Sequence, residues 1–379
     1  MKNGKAIALS RLFSGLAILA GLVGIVSFLF YWDVSRKAIK RMQASSPYKF
    51  EEVDPRHLKV DPASLIHLQS KEDAERVRAA LATVVWGDRG APVSKMPSLI
   101  VPDLREIRPD RRCPNRAIED YTTRTIGCSL GRYYQADNLA EVGRLTINVS
   151  PTYQPKVSHF KPVDKNGVLI LYHHGYAGTH QDQWRHILRW VEFGYGVMAF
   201  DYTGYGNAAP GVDYGKAGYL RSIAEPIAVA LNYALDKGDY EEAHMVGLSA
   251  GGWVTALYAA LDPRVSKSYP VSGVYPVYLR SERETAAPQL NDAMLKAASY
   301  LDMFALASVG VGRGQMQVFN RFDRCCFNGL RSQLYKDQVS KAVSLVGSGS
   351  FSVLLDETHA RHKISRWAFE AILEDMGEP

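Results

Sequence analysis

The sequence predicts an α/β protein in which a mainly parallel sheet is covered by helices on both faces, and three observations carry that prediction. From Leu145 onward, short apolar runs alternate with stretches of helical periodicity, the pattern that parallel strands joined by crossover helices produce. Within that alternation stands Val246-Gly247-Leu248-Ser249-Ala250-Gly251-Gly252, a serine with glycine two residues away on either side, set between a short apolar run and an alanine-rich one. Around it, His173-His174-Gly175-Tyr176 lies upstream, and Asp323, His359 and His362 lie downstream, each beyond a strand-like run.

Taken in order, the chain of 379 residues opens with Lys2, Lys5 and Arg11, after which no charged residue occurs from Leu12 to Trp32. As a helix that run spans about 32 Å, enough for a bilayer core of about 30 Å. It ends in Phe28-Leu29-Phe30-Tyr31-Trp32 rather than at a small-residue cleavage site, so an uncleaved, membrane-spanning anchor with an interfacial aromatic belt is expected over residues 1–41. Arg36, Lys37, Lys40 and Arg41 balance the basic residues before the run, and charge alone leaves its orientation open.

Residues 42–144 read as a linker and N-terminal extension. Ser45-Ser46-Pro47, Pro55 and Pro62 suit an extended segment. Ser70 can cap a helix whose first turn holds Glu72 and Asp73; Ala74, Val77, Ala80, Leu81 and Val84 recur at helical spacing, and Gly87 ends it. The stretch from there to Gly131, rich in proline and arginine, reads as a solvated basic loop.

Residues 145–379 read as the catalytic domain. Strands are expected at 145–149, 156–163, 168–172, 196–201, 243–246, 268–272, 314–319 and 351–355, and helices at 183–193, 224–235, 253–261, 330–346 and 365–374. Tyr278 to Gly312 interrupts the alternation with partly apolar, helix-forming sequence. The formal charge of +6 is modest and dispersed, so nucleic acid is not expected as a partner.

A serine can be thrust out of a fold on a sharp strand-to-helix turn only where its neighbours are small, which Gly247 and Gly251 provide; the stretch reads as a nucleophile elbow. With the order Ser249, Asp323, histidine, residues 145–375 resemble the α/β-hydrolase superfamily. The resemblance implies an α/β-hydrolase fold with a lid-like insertion at about 278–312, although a plain surface insertion suits the sequence equally. It implies a serine hydrolase with Ser249 as nucleophile and Asp323 as orienting acid, cleaving an ester-type or related acyl substrate through an acyl-enzyme. The base is His362 or His359; His362-Lys363-Ile364-Ser365 is similar to a motif that precedes the last helix in some members, which favours His362. By the same resemblance, the amides of Tyr176 and Ala250 form the oxyanion hole, and Asp201-Tyr202-Thr203-Gly204-Tyr205-Gly206 is a structural loop near the mouth. Peptidase or acyltransferase chemistry uses the same groups, and a silent binding protein is the rival reading.

No dinucleotide fingerprint, phosphate loop or histidine pair with zinc spacing occurs, so neither cofactor nor metal is expected. Adjacent cysteines seldom bond to each other. Cys325 and Cys326 could instead each pair with Cys113 or Cys128, clamping the extension to the acid loop in an oxidising, extracytoplasmic space; four reduced thiols is the alternative.

Overall fold

The computed structural model describes residues 24, 53–102, 136–213, 218–281 and 284–378, with the backbone of 109–110 and 113–117. The chain divides into two compact units, Met1–Lys49 and Phe50–Pro379. The expected anchor over 12–32 lies outside the described residues; among the described residues no helix is long and apolar enough to cross a membrane.

The second unit is built on one nine-stranded sheet. Its strands are β1 (Leu99–Val101), β2 (Leu139–Thr146), β3 (Lys156–Pro162), β4 (Val168–His173), β5 (Gly196–Phe200), β6 (Glu242–Leu248), β7 (Val265–Val271), β8 (Gly314–Asn320) and β9 (Ser350–Asp356). They lie in the order β1-β2-β3-β5-β4-β6-β7-β8-β9. The first three pairings are antiparallel, and every pairing from β5 to β9 is parallel. β1 falls in the stretch read as a solvated loop; it is a short, mostly exposed edge strand followed by Pro102, and presents no alternation long enough to see.

Parallel strands must be buried on both faces, and β4 shows how: Leu169 and Leu171 point into one apolar cluster, Ile170 and Tyr172 into the other. Helices α2 (Trp184–Glu192) and α8 (Arg366–Met376) cover the second face, through Trp190, Phe369 and Ile372. The first face is covered by α3 (Tyr219–Asp236), α4 (Ala250–Leu261), α6 (Tyr300–Ser308) and α7 (Lys336–Val346).

Helix α1 (Lys71–Trp86) packs on this same face, with Val77, Leu81 and Val85 in the core. The Ser70 hydroxyl accepts from the amide of Asp73 at 3.1 Å, and Gly87 at φ 59° ends the helix. Arg78 fastens it, donating to the carbonyls of Ala260 and Leu306, both at 2.9 Å.

The expectation of a lid at 278–312 is corrected for its largest helix. Every residue of α6 is buried, because the helix lies between the sheet, α4 and α1. A helix apolar all round belongs in a core. Before it, α5 (Asp292–Ala297) is one short helix. The segment 275–284 is the part that reaches the acid loop: Tyr275 stacks on Phe319 at 4.4 Å, and the Glu284 carboxylate accepts from the Phe327 amide.

Candidate active site

Ser249 stands between β6 and α4 at φ 59°, ψ −125°, a strained conformation for any residue but glycine. The turn closes only over bare backbone. A Cβ on Gly247 would lie 2.2 Å from the Gly251 carbonyl oxygen, and one on Gly251 would lie 2.0 Å from that of His173. Beside the elbow, β4 delivers His173 opposite Gly247, so the chain that follows runs past the serine. Gly175 is the point of contact: a Cβ there would meet the Ser249 Cβ and the Leu248 oxygen at 2.7 Å and the Ala250 nitrogen at 3.3 Å. The amides of Ala250 and Tyr176, one residue beyond each side of this contact, are thus neighbours of the serine.

Tyr176 is 42% exposed, and its ring lies 4.4 Å from that of Tyr202. Burial pushes His173 down to about 4, while Asp201 acts in the opposite sense. Burial likewise lowers His174, whose Nδ1 pairs with the Tyr172 hydroxyl at 2.9 Å. Both rings are therefore neutral at pH 7.

Asp323 is fully buried three residues beyond β8. One of its oxygens accepts from the Cys325 amide at 2.7 Å, and the other lies 2.7 Å from His362 Nδ1. Arg321, two residues before Asp323, pairs with Glu357 at 2.5 Å. Asp302 is engaged elsewhere: its carboxylate accepts from the amide of Ser299, the cap of α6, at 2.9 Å and meets the amide and Nδ1 of His67 at 2.7 and 2.8 Å.

The two candidate bases separate cleanly. His359 Nδ1 accepts from the Arg361 amide at 3.0 Å, and its Nε2 lies 3.2 Å from Asp356, so it faces a different carboxylate. Asp356 is itself engaged: burial would raise its carboxyl, yet hydrogen bonds from Ser365 and Thr358 more than offset this and hold it below the usual range. Only His362 meets Asp323. Nδ1–H donating to a carboxylate leaves Nε2 with the lone pair, the tautomer a general base needs.

Two groups that the sequence did not single out, and a cysteine it read only as a bridge partner, shape this corner. The Asn320 amide donates to the carbonyls of Arg361 and Lys363, on either side of His362, at 3.2 and 2.9 Å. Arg331 forks onto Glu284 at 2.6 and 2.7 Å. Cys326 Sγ lies 4.0 Å from both ring nitrogens of His362. Asn320 carries a signal in hindsight, being an amide at the end of an apolar buried strand.

The cysteine expectation is corrected: Cys325 and Cys326 are bonded to each other. The Cys325 amide is turned onto Asp323 while Cys326 faces His362, a tight turn that puts both sulfurs on one side. The side chains of Cys113 and Cys128 lie outside the described residues. Among the described residues, Cys325, Cys326 and His362 are the one group whose potential metal-ligand atoms gather within 4.8 Å.

The Asp201 loop is structural, as expected. Its carboxylate accepts from the amide and Nδ1 of His180, at 2.7 and 2.8 Å, and from the Asn207 amide at 2.8 Å. These bonds tie the loop after β5 to the one after β4.

Comparison with known proteins bears on the fold. Residues 168–368, more than half the chain, match the family described as alpha/beta hydrolase fold. A non-heme chloroperoxidase of Burkholderia pyrrocinia is 31% identical over 163 residues, covering 41% of this chain and 55% of that one. Another, of Streptomyces lividans, is 31% identical over 121 residues, 31% of this chain and 41% of that one. The chain thus spans about half the length of the curated relatives it matches. Among solved structures, methylesterase BT1017 aligns at a TM-score of 0.60 and 16% identity, over 86% of this chain and 68% of that one, a likeness of fold. The chain belongs to the α/β-hydrolase fold family.

Proposed function

We propose that the protein is a serine hydrolase that cleaves an ester-type acyl substrate through an acyl-enzyme on Ser249. The observation that carries this reading is the 2.7 Å contact between Asp323 and His362, on loops from neighbouring strands of the sheet whose β6 carries a serine held at φ 59°. His362 Nε2 takes the hydroxyl proton as Ser249 attacks the carbonyl, and returns it to the leaving alcohol. The amides of Ala250 and Tyr176 stabilise the oxyanion, by roughly 3 kcal/mol each. Water then repeats the sequence on the acyl-enzyme, releasing the acid and restoring Ser249.

A fluorophosphonate probe tests the reading directly. It should label the wild type and leave Ser249→Ala unlabelled; a folded wild type that takes no label would favour the silent binding protein instead. A panel of esters and peptides, with and without an acceptor alcohol, separates esterase from peptidase and acyltransferase use.

Membrane attachment through 12–32 belongs to the same proposal and rests on the length and charge of that run. Deleting 12–32 should move the protein from the membrane pellet to the supernatant. The extracytoplasmic placement is now supported by the Cys325–Cys326 bond, since disulfides persist in oxidising compartments.

A further inference from the structure

A disulfide between adjacent residues closes the smallest possible loop, so the chain-entropy argument gives it little role as a staple. Its position is the informative feature: Cys325 is exposed, and Cys326 lies against the ring of His362. We propose that, once reduced, Cys325 and Cys326 join His362 Nε2 in a three-ligand site for a thiophilic divalent cation of the zinc class. The cation occupies the lone pair that the base would use.

The donor set fits such an ion. Two thiolates and an imidazole are the ligand types that zinc takes, and three protein ligands leave a fourth position for solvent. Bond lengths of about 2.3 Å to sulfur and 2.0 Å to nitrogen put the two donors about 3.6 Å apart in a tetrahedral site. Cys326 Sγ lies 4.0 Å from Nε2 and equally 4.0 Å from Nδ1, so on binding the freed thiolate must turn toward the Nε2 side of the ring. Asp323 supplies the remaining feature of a histidine–metal site, because a carboxylate on Nδ1 fixes the ring and leaves Nε2 free to coordinate. The same bond that prepares His362 as a base prepares it as a ligand.

The chemistry balances with a dithiol reductant. Thiolate exchange converts the Cys325–Cys326 bond to two thiols as the reductant becomes a cyclic disulfide, taking up the two electrons it loses. The cation then displaces two protons from the thiols and accepts one lone pair from His362. In the oxidised form neither sulfur is a thiolate, and the site does not exist. Loss of activity on binding rests on the reading of His362 as base; the site itself does not.

The test uses the full chain, oxidised or reduced with a dithiol and freed of it without air, and dialysed against Zn²⁺ with a chromophoric chelator as competitor. Reduced wild type should hold one more Zn²⁺ than oxidised wild type, and Cys326→Ser or His362→Ala should weaken that extra ion at least tenfold. Co²⁺ in its place should show thiolate charge-transfer absorption that Cys326→Ser lacks. Ester turnover of the reduced enzyme should fall in step with Zn²⁺ occupancy and return with chelator, while the turnover of Cys325→Ser/Cys326→Ser, whatever its level without metal, should not respond to the same Zn²⁺. Equal Zn²⁺ uptake by the two redox forms, or an extra ion that survives Cys326→Ser, overturns the proposal. Because dialysis and Co²⁺ absorption need no turnover, an inactive wild type would sink the hydrolase reading and leave this result standing.

Discussion

Asn320 and Lys363 are joined by a 2.9 Å bond from side-chain amide to carbonyl, and the same amide nitrogen reaches the Arg361 carbonyl at 3.2 Å. The backbone on both sides of His362 is thereby fixed to the end of β8, the strand that also delivers Asp323. The nitrogen lies 3.4 Å from Asp323 itself. One buried side chain thus ties Asp323 and His362 together.

Asn320→Asp should therefore lower turnover by about 10- to 100-fold, because a carboxylate would face two carbonyls and a second carboxylate, and small misplacements of catalytic groups cost this much. The loss should fall on kcat rather than KM, with the fold retained by circular dichroism. An unchanged kcat would show that His362 is held by other means.

Asp323→Asn and His362→Ala should each reduce turnover by at least about a thousandfold, as loss of the orienting acid or the base does in other triads. His359→Ala should be mild, since that ring faces Asp356. A severe His359→Ala beside a mild His362→Ala would reverse the assignment.

That choice marks where the sequence stopped being legible. Both histidines follow β9, and spacing cannot tell which carboxylate each will meet; the answer lies in Ser365 and Thr358 occupying Asp356. The elbow was legible because Gly247 is required by the Gly251 carbonyl four residues on, whereas the need for Gly251 comes from His173 on the neighbouring strand. Strands β4, β5 and β6 were legible because burial on both faces leaves a nearly continuous apolar run. Helix α6 was read as lid or surface because its apolar sequence does not say what covers it, and the cover, α1, comes from more than two hundred residues upstream. The adjacent cysteines went the same way: their pairing is decided by the turn that Asp323 makes with the Cys325 amide.

Gly175→Ala should lower kcat by about 10²- to 10³-fold, the cost of losing one oxyanion donor. Its methyl would sit 2.7 Å from the Ser249 Cβ and push the Tyr176 amide away from the elbow. Fluorophosphonate labelling should slow in parallel, and the melting temperature should fall while unfolding stays cooperative, since overpacking costs about 1 to 3 kcal/mol. A normal rate would remove Tyr176 from the oxyanion hole.

Glu284 gives a prediction for acid. Burial would raise its carboxyl, but Arg331 and the amides of Ser281 and Phe327 more than offset this and hold it below the usual range. A carboxylate lowered on folding stabilises the protein above its unfolded value, about 4.3, and that stability is lost as pH falls through the folded value. Glu284→Gln strands Arg331 and should cost about 3 kcal/mol at pH 7. The gap between wild type and variant in chemical denaturation should hold from pH 7 to about 5 and close below about 4. A gap independent of pH would mean that the pair contributes through packing alone.

The last prediction concerns where the folding unit begins. Phe50–Pro379 is one compact unit, and within it α1 puts Val77, Leu81, Val85 and Trp86 into the core that also holds α4 and α6. Polar ties follow the same path. Arg221 donates to the Trp86 carbonyl at 2.6 Å, Asn232 to that of Pro92 at 2.6 Å, and Lys95 pairs with the buried Glu225. Removing residues up to 135 would uncover those apolar side chains' partners and leave Glu225 with Arg221 alone. Burial of four such side chains is worth about 1.5 to 3 kcal/mol each, comparable in sum to the whole stability of a typical domain. A chain starting at Phe50 should therefore melt cooperatively and label with the fluorophosphonate probe, whereas one starting at Ala136 should be aggregated or molten and unlabelled. Cooperative melting and labelling of the shorter chain would show that β2 to β9 and their own helices suffice, with α1 an accessory.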